Sequence, residues 1–293
     1  MTNTHHISAA PRKNKPRIPG CASCLLLVLA VPALIFILLT AYLLAPMRTD
    51  MLILGIDRVP EGTALGRSDT MILVSVYPLF STVKMLSIPR DLWVNIPGVG
   101  ENRINTAHFF AEAAQPGSGP QAAARTVAEN FEMDVPYYAR LRFDAVLDVV
   151  DALGGVTLNL PQDMGGLPAG THYLNGEQAL AFIRDRQGTD DFFRMEHSLF
   201  MVRAILDEML APASWPRLPA VARAAFDSID SNLPAWQMPR VGVAMVRAAL
   251  TGGLESRTIR REMTTPTITS GGANVLMPNW DQIHPYVREM FPR

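Results

Sequence analysis

Apolar positions along this 293-residue chain fall into runs of three lengths, and each length predicts a different element. The longest run, residues 22–45, holds 24 residues without a charge. A helix of that length extends roughly 36 Å, against about 30 Å for the hydrocarbon core of a bilayer, so it is expected to be a membrane-crossing anchor. A cleavable signal peptide would carry an apolar stretch of about 7–15 residues ending in a small-x-small site, and neither feature is present. The short runs 51–56 (MLILGI), 70–76 (TMILVSV) and 82–88 (TVKMLSI) are β-rich and continuous, as strands buried on both faces are. Residues 93–96 and 103–104 flank Pro97-Gly98-Val99-Gly100, a hairpin signature.

Runs of intermediate length carry helical spacing. Residues 105–114 and 121–131 have helical composition and are separated by Pro116-Gly117-Ser118-Gly119-Pro120. Val146, Leu147, Val149, Val150 and Leu153 form one apolar stripe, closed by Gly154-Gly155. Strands are expected at 137–143 and 156–160. Asn175 is positioned to cap a helix over 176–182, and a long helix begins near Asp190-Asp191 and runs to about Leu210. Further helices near 219–231 and 238–250 precede a strand, a loop and a final helix over 257–291. Strands alternating with helices predict an α/β layered domain around a mixed sheet. The expected organisation is a cytoplasmic basic tail (1–21), an anchor (22–45), an extracytoplasmic domain (48–210) and a C-terminal helical extension (211–293) that packs on that domain or continues it.

Charge adds orientation. The chain carries 26 basic and 27 acidic side chains, and four of the basic ones, Arg12, Lys13, Lys15 and Arg17, precede the anchor with no acid among them. That bias places the N-terminus in the cytoplasm and the remaining residues outside the membrane. The part beyond the anchor is net acidic, which argues against a nucleic-acid surface. Both cysteines, Cys21 and Cys24, sit at the start of the anchor, so the domain beyond it has no disulfide. The histidines show no metal-ligand spacing, and no phosphate-binding glycine loop, zinc helix or serine elbow occurs.

Three segments bring arginine and aspartate into apolar surroundings: Gly66-Arg67-Ser68-Asp69-Thr70, Ile88-Pro89-Arg90-Asp91 and Phe182-Ile183-Arg184-Asp185-Arg186. Such residues are costly there unless they meet a partner or a ligand. Asp57 ends the first strand and Asp69 opens the second, so their carboxylates are placed either to share a hard cation such as Mg²⁺ or to serve as ordinary turn residues. Arg67, Arg90, Arg184, Arg186 and Arg194 present planar forks suited to phosphate oxygens. The plain alternative for each is a surface ion pair worth about 0–1 kcal/mol. An arginine cluster with a cation site and no evident nucleophile fits phosphoryl transfer.

These segments, with Leu54–Arg58, Leu86–Asp91, Arg103-Ile104-Asn105, Val150–Val156 and Leu174–Leu180, resemble the LytR-CpsA-Psr family over residues 51–210. The resemblance implies a three-layer α/β/α domain behind a single transmembrane helix. It also implies transfer of a glycopolymer from an undecaprenyl-pyrophosphate carrier to a peptidoglycan hydroxyl, with Mg²⁺ as cofactor. By the same resemblance Asp57 and Asp69 hold the metal. Arg67, Arg90, Arg184, Arg186 and Arg194 grip the pyrophosphate, and Asp191 assists the acceptor hydroxyl. The expected location is the bacterial cell membrane, single-pass. The chain departs from the family pattern at His197-Ser198 and at Ala113-Ala114. Ile72, Val74 and Val76 with Val146, Leu147 and Val150 are expected either as ordinary core or as walls of a slot for the prenyl tail. A polyprenyl-pyrophosphate phosphatase and a non-catalytic lipid- or glycan-binding scaffold are the alternatives.

Overall fold

The computed structural model describes residues 22–56, 65–142, 144–185 and 191–292, with the backbone alone for 22–27, 144 and 191–196. The chain divides into a short unit, Met1–Tyr42, and a large one, Leu43–Arg293. The short unit contains most of helix α1 (Ala22–Leu43), which is uncharged throughout and has Pro32 inside it. Among the described residues no helix is long and apolar enough to cross a membrane; the described side chains of α1 begin at Val28.

The large unit begins with strands β1 (Thr49–Ile56), β2 (Ser68–Tyr77) and β3 (Thr82–Ser87), then the hairpin β4 (Trp93–Ile96) and β5 (Gly100–Arg103). Helices α2 (Thr106–Ala114) and α3 (Gly119–Phe131) lead to β6 (Tyr137–Arg142) and α4 (Asp144–Leu153). A second hairpin, β7 (Val156–Leu160) and β8 (Gly170–Leu174), precedes α5 (Gly176–Arg184) and α6 (Asp191–Leu210). Then come α7 (Leu218–Ser228), β9 (Ile229–Ser231), α8 (Met238–Thr251) and β10 (Leu254–Thr258). The chain closes with β11 (Thr264–Ile268), β12 (Asn274–Pro278) and α9 (Trp280–Met290).

Six strands form the central mixed sheet in the order β10-β3-β2-β1-β6-β9. β1 pairs antiparallel with β2 and parallel with β6, β2 antiparallel with β3, and β3 parallel with β10. Side-chain alternation divides the sheet's apolar residues between two cores. Leu52, Leu54, Met71, Leu73 and Leu86 pack with α3 and α9, through Val127, Phe131, Ile283 and Met290. Met51, Ile72, Val74, Val76 and Val83 pack on the opposite face with Val241, Ala244 and Ala248 of α8 and Leu199 of α6. A third cluster gathers α4, β7, α5, α6 and α7 around Val150, Leu158, Phe182, Met201 and Val221.

Two expectations are corrected here. The slot drawn from Ile72, Val74 and Val76 with Val146, Leu147 and Val150 does not assemble, because the first three face α8 and the others pack in the third cluster. Residues 211–293 are more than a helical extension: they contribute both edge strands of the sheet and the β11–β12 ribbon. These strands are short, three to five residues, and lack strong apolar alternation, so edge pairing rather than periodicity defines them.

Candidate active site

The site is built where three strand ends meet. β1 ends at Ile56, β2 begins at Ser68, and β3 passes through Ser87 into Pro89-Arg90, all at one end of the sheet. The register between β1 and β2 shifts there: Gly55 faces Thr70, but Ile56 faces Ser68. Asp69 is therefore the extra residue of a β-bulge, a feature that re-aims a side chain at the end of a ladder. Its Oδ1 accepts a hydrogen bond from Arg90 Nη1 at 2.6 Å.

Backbone bonds lace the neighbouring segments together. Ser68 N–H donates to Asn105 O at 3.3 Å, Asn105 N–H to Arg90 O at 3.3 Å, and Ile104 N–H to Leu92 O at 2.8 Å. The sequence segments Gly66–Thr70, Ile88–Asp91 and Arg103–Asn105 are thus one contiguous surface. Side-chain charges alternate across it. Arg90 Nε lies 3.5 Å from Asp91 Oδ2, and Asp91 Oδ1 lies 3.3 Å from Arg103 Nε. Arg103 Nη2 also donates to Asn274 O at 2.6 Å, which ties the row to the β12 ribbon. Arg90, Asp69, Asp91 and Arg103 each keep about a fifth to a quarter of their side-chain surface exposed, so solvent or a ligand can reach them. Arg67 is exposed beside them.

Arg184 is carried by a separately built support. Asn175 and Gln178 form a reciprocal capping box, each side chain bonding the other's backbone N–H, which starts α5. Gly176 N–H donates to Asp151 Oδ1 of α4 at 2.7 Å. A Cβ on Gly176 would meet Leu147 O at 2.6 Å, so only glycine allows α5 to start this close to α4. Arg184 then occupies the last turn of α5. The first turns of α6 are drawn to β2 by Thr70 Oγ1 and Ser198 Oγ, 3.4 Å apart. His197 is buried against the Phe182 ring, with centroids 4.9 Å apart. His197 and Ser198 thus join α6 to α5 and to β2. Asp191 opens α6 and Arg194 lies one turn before Ser198, though their side chains, like Asp57 and Arg186 altogether, lie outside the described residues. Among the described residues no three histidines, cysteines or carboxylates cluster as potential metal ligands.

Sequence reasoning missed a buried network beneath Arg67. His108 of α2 is fully buried, and its Nδ1 lies 2.9 Å from Gly66 O. Arg140 Nη1 lies 3.3 Å from His108 Nε2 and 3.2 Å from Glu112 Oε2, while its Nη2 lies 2.7 Å from Asp230 Oδ2. Arginine has no acceptor, so Nε2 accepts and Nδ1 carries the hydrogen donated to Gly66 O. Burial pushes His108 below the ordinary histidine range, and the Arg140 cation adds to that effect. Burial alone would raise Glu112, but bonds from Gly117 and Gly119 N–H and the Arg140 charge outweigh it and hold the carboxyl low. No local signal announced it: in the strand YYARLR, Arg140 alternates with the apolar Ala139 and Leu141, and only the fold brings it to His108 and Glu112.

The comparisons with known proteins bear on the family and the fold. A profile of the LytR_cpsA_psr family matches residues 46–281, beyond the segment 51–210 that carries the motifs. The polyisoprenyl-teichoic acid–peptidoglycan teichoic acid transferase TagU of Oceanobacillus iheyensis is 39% identical over 54% of this chain and 51% of that protein. The transferase of the same description named TagT, from Bacillus subtilis, is 33% identical over 63% of this chain and 60% of that protein. The chain thus spans about half to three fifths of the length of these relatives. Among solved structures, TagT bound to LI-WTA superposes with a TM-score of 0.65 at 26% identity, covering 83% of this chain and 89% of that one.

Proposed function

The chain belongs to the LytR_cpsA_psr family, and on that premise we propose that it transfers a glycopolymer from an undecaprenyl-pyrophosphate carrier to a hydroxyl of peptidoglycan. The observation that carries this reading is the row Asp69–Arg90–Asp91–Arg103 on three laced segments, with Arg67 exposed beside it. Arginines held by carboxylates at a partly open surface can exchange that anionic partner for the oxygens of a diphosphate. The relatives named as teichoic acid transferases support the same class of donor and acceptor.

In the proposed reaction the acceptor hydroxyl oxygen attacks the glycan-side phosphorus. The bond from that phosphorus to the bridging oxygen breaks, and polyprenyl phosphate departs with the electron pair. Asp191 receives the hydroxyl proton, while Arg67, Arg90, Arg184, Arg186 and Arg194 hold the phosphate oxygens. The carboxylate present is of the right kind for a hard cation: Asp69 is partly exposed with its Oδ1 bonded to Arg90, and Mg²⁺ commonly takes one or two carboxylates with phosphates and water. Asp57 and Asp69 would hold it, and it would neutralise charge on the diphosphate. We place the protein in the bacterial cell membrane as a single-pass protein, anchored by residues 22–45, with its N-terminus cytoplasmic and the domain outside.

The test uses the full chain in nanodiscs with a synthetic polyprenyl-pyrophosphate-linked glycan, Mg²⁺ and peptidoglycan fragments. Release of polyprenyl phosphate matched by glycan attached to the wall fragment is the expected result, with a lower rate after chelation. Release that proceeds unchanged without acceptor would replace transfer by hydrolysis. No cleavage under any of these conditions would leave only the scaffold alternative.

A further inference from the structure

The end of the sheet opposite the site is built to hold the chain where it arrives from α1. Arg240 of α8 is 1% exposed, and its Nη2 donates to Ala45 O at 3.0 Å and also to Met47 O. Arg48 follows. It pairs with Asp50 at 2.7 Å and donates to Phe291 O and Pro292 O at 3.3 and 3.0 Å. Residues 45–48 are therefore strapped to the domain by buried and half-buried arginines. Helix α1 ends at Leu43, so only two Cα steps, at most about 7 Å, separate it from the first strapped carbonyl.

Apolar side chains stand exposed beside that strap. Thr49 pairs with Val76 and Tyr77 with Thr82, so the turn after β2 lies at the level of Met47. In that turn Leu79 is 44% and Phe80 72% exposed, and Met47 is 57% exposed. The C-terminal end of α8 adjoins the same turn: Arg247 Nη1 donates to Pro78 O at 3.0 Å, and Val83 N–H donates to Gly253 O at 2.9 Å. Leu250, 68% exposed, belongs to that end. A cleft of about 830 Å³ opens between Phe80 and the strap, lined by Arg48, Tyr77, Arg288 and Phe291 together with Glu132 and Asp134.

We propose that Met47, Leu79, Phe80 and Leu250 form a second membrane contact, inserted at the headgroup level of the bilayer that α1 enters. The proposal rests on the anchor reading above. The short strap leaves the domain no slack to stand away from the bilayer, and the four side chains lie on the end that the strap holds down. The cleft carries both signs of charge, so insertion of apolar side chains, not attraction to anionic lipid, makes the contact.

The experiment places a spin label at one position at a time in the full chain, with Cys21→Ser and Cys24→Ser, in phosphatidylcholine nanodiscs. Phe80→Cys reports the proposed contact and Phe36→Cys reports the anchor. Phe110→Cys, on the same α2 helix as the His108 that bonds Gly66, reports the opposite end. Accessibility to lipid-soluble oxygen relative to an aqueous nickel chelate is expected several-fold higher at positions 36 and 80 than at 110. The ratio at 80 should not change on adding phosphatidylglycerol or salt. A lipid-like reading at 36 with a water-like reading at 80 overturns the contact and leaves the anchor standing. Water-like readings at both overturn the anchor and the contact with it.

Discussion

The two ends of the central sheet use arginine in opposite ways. At the site end, Arg90 and Arg103 meet carboxylates, Asp69 and Asp91, at 2.6–3.5 Å and partly exposed. At the strap end, Arg240 and Arg247 donate to backbone carbonyls, and Arg48 adds carbonyls of the C-terminal segment to its carboxylate. A carbonyl neutralises no charge and cannot leave, so those arginines fix the course of the chain. A carboxylate is an anion that another anion can displace, so under the proposed function the arginines it holds can pass to a phosphate. Partner type and exposure together mark the contrast: Arg140 is also held by carboxylates, but within the buried His108 and Glu112 network, and Arg103 adds the Asn274 carbonyl to Asp91.

The largest effect that would break this contrast is expected from Arg90→Ala. Losing a donor aimed at developing phosphate charge should lower kcat by about 10²–10³, with the thermal unfolding midpoint shifted little. A variant that unfolds in proportion to its lost activity would make Arg90 a building arginine after all. The converse test is Arg240→Leu, which removes a buried guanidinium from the carbonyls of Ala45 and Met47. A loss of about 2–3 kcal/mol, measured by denaturant titration of the full chain in detergent, is expected with kcat of the folded enzyme unchanged.

The smallest effect should come from His108→Gln, because His108 acts on the site only through Gly66. A displaced Arg67 should lower activity by roughly tenfold, since small misplacements of a positioned group cost rate. The same variant has a pH signature. The ordinary value of 6.5 describes the unfolded chain, and the folded value lies below it. The unfolded chain thus takes up the proton first. The contribution of His108 to stability is complete above pH 6.5 and is lost as pH falls from there through the folded value. Unfolding curves of the parent chain should weaken over that interval more than those of His108→Gln.

Much of the site was legible because it is carried by local signals. The end of MLILGI, the Pro89-Arg90 break and the Asn175 cap each mark an element boundary, and boundaries at one sheet end bring Asp69, Arg90 and the Arg103 segment together. The bulge at Asp69 was not legible, since a one-residue register shift leaves no trace in composition. Nor were β9 and β10, whose three and five residues become strands by pairing with β6 and β3. The prenyl slot failed for a related reason. Alternation shows that Ile72, Val74 and Val76 share a face, but only the path of α8 decides what covers it. His108 and Arg140 meet across 32 residues of sequence, too far apart for any spacing rule to join them.

β1 runs from Thr49, next to the strap, to Ile56, next to Asp57, over 8 residues. At about 3.3 Å per residue that is a gauge of roughly 25 Å fixed in the molecule. If the proposed donor keeps its lipid end in the bilayer at the strap, its diphosphate has to span this gauge to reach Arg90, and prenyl donors truncated below it should lose turnover.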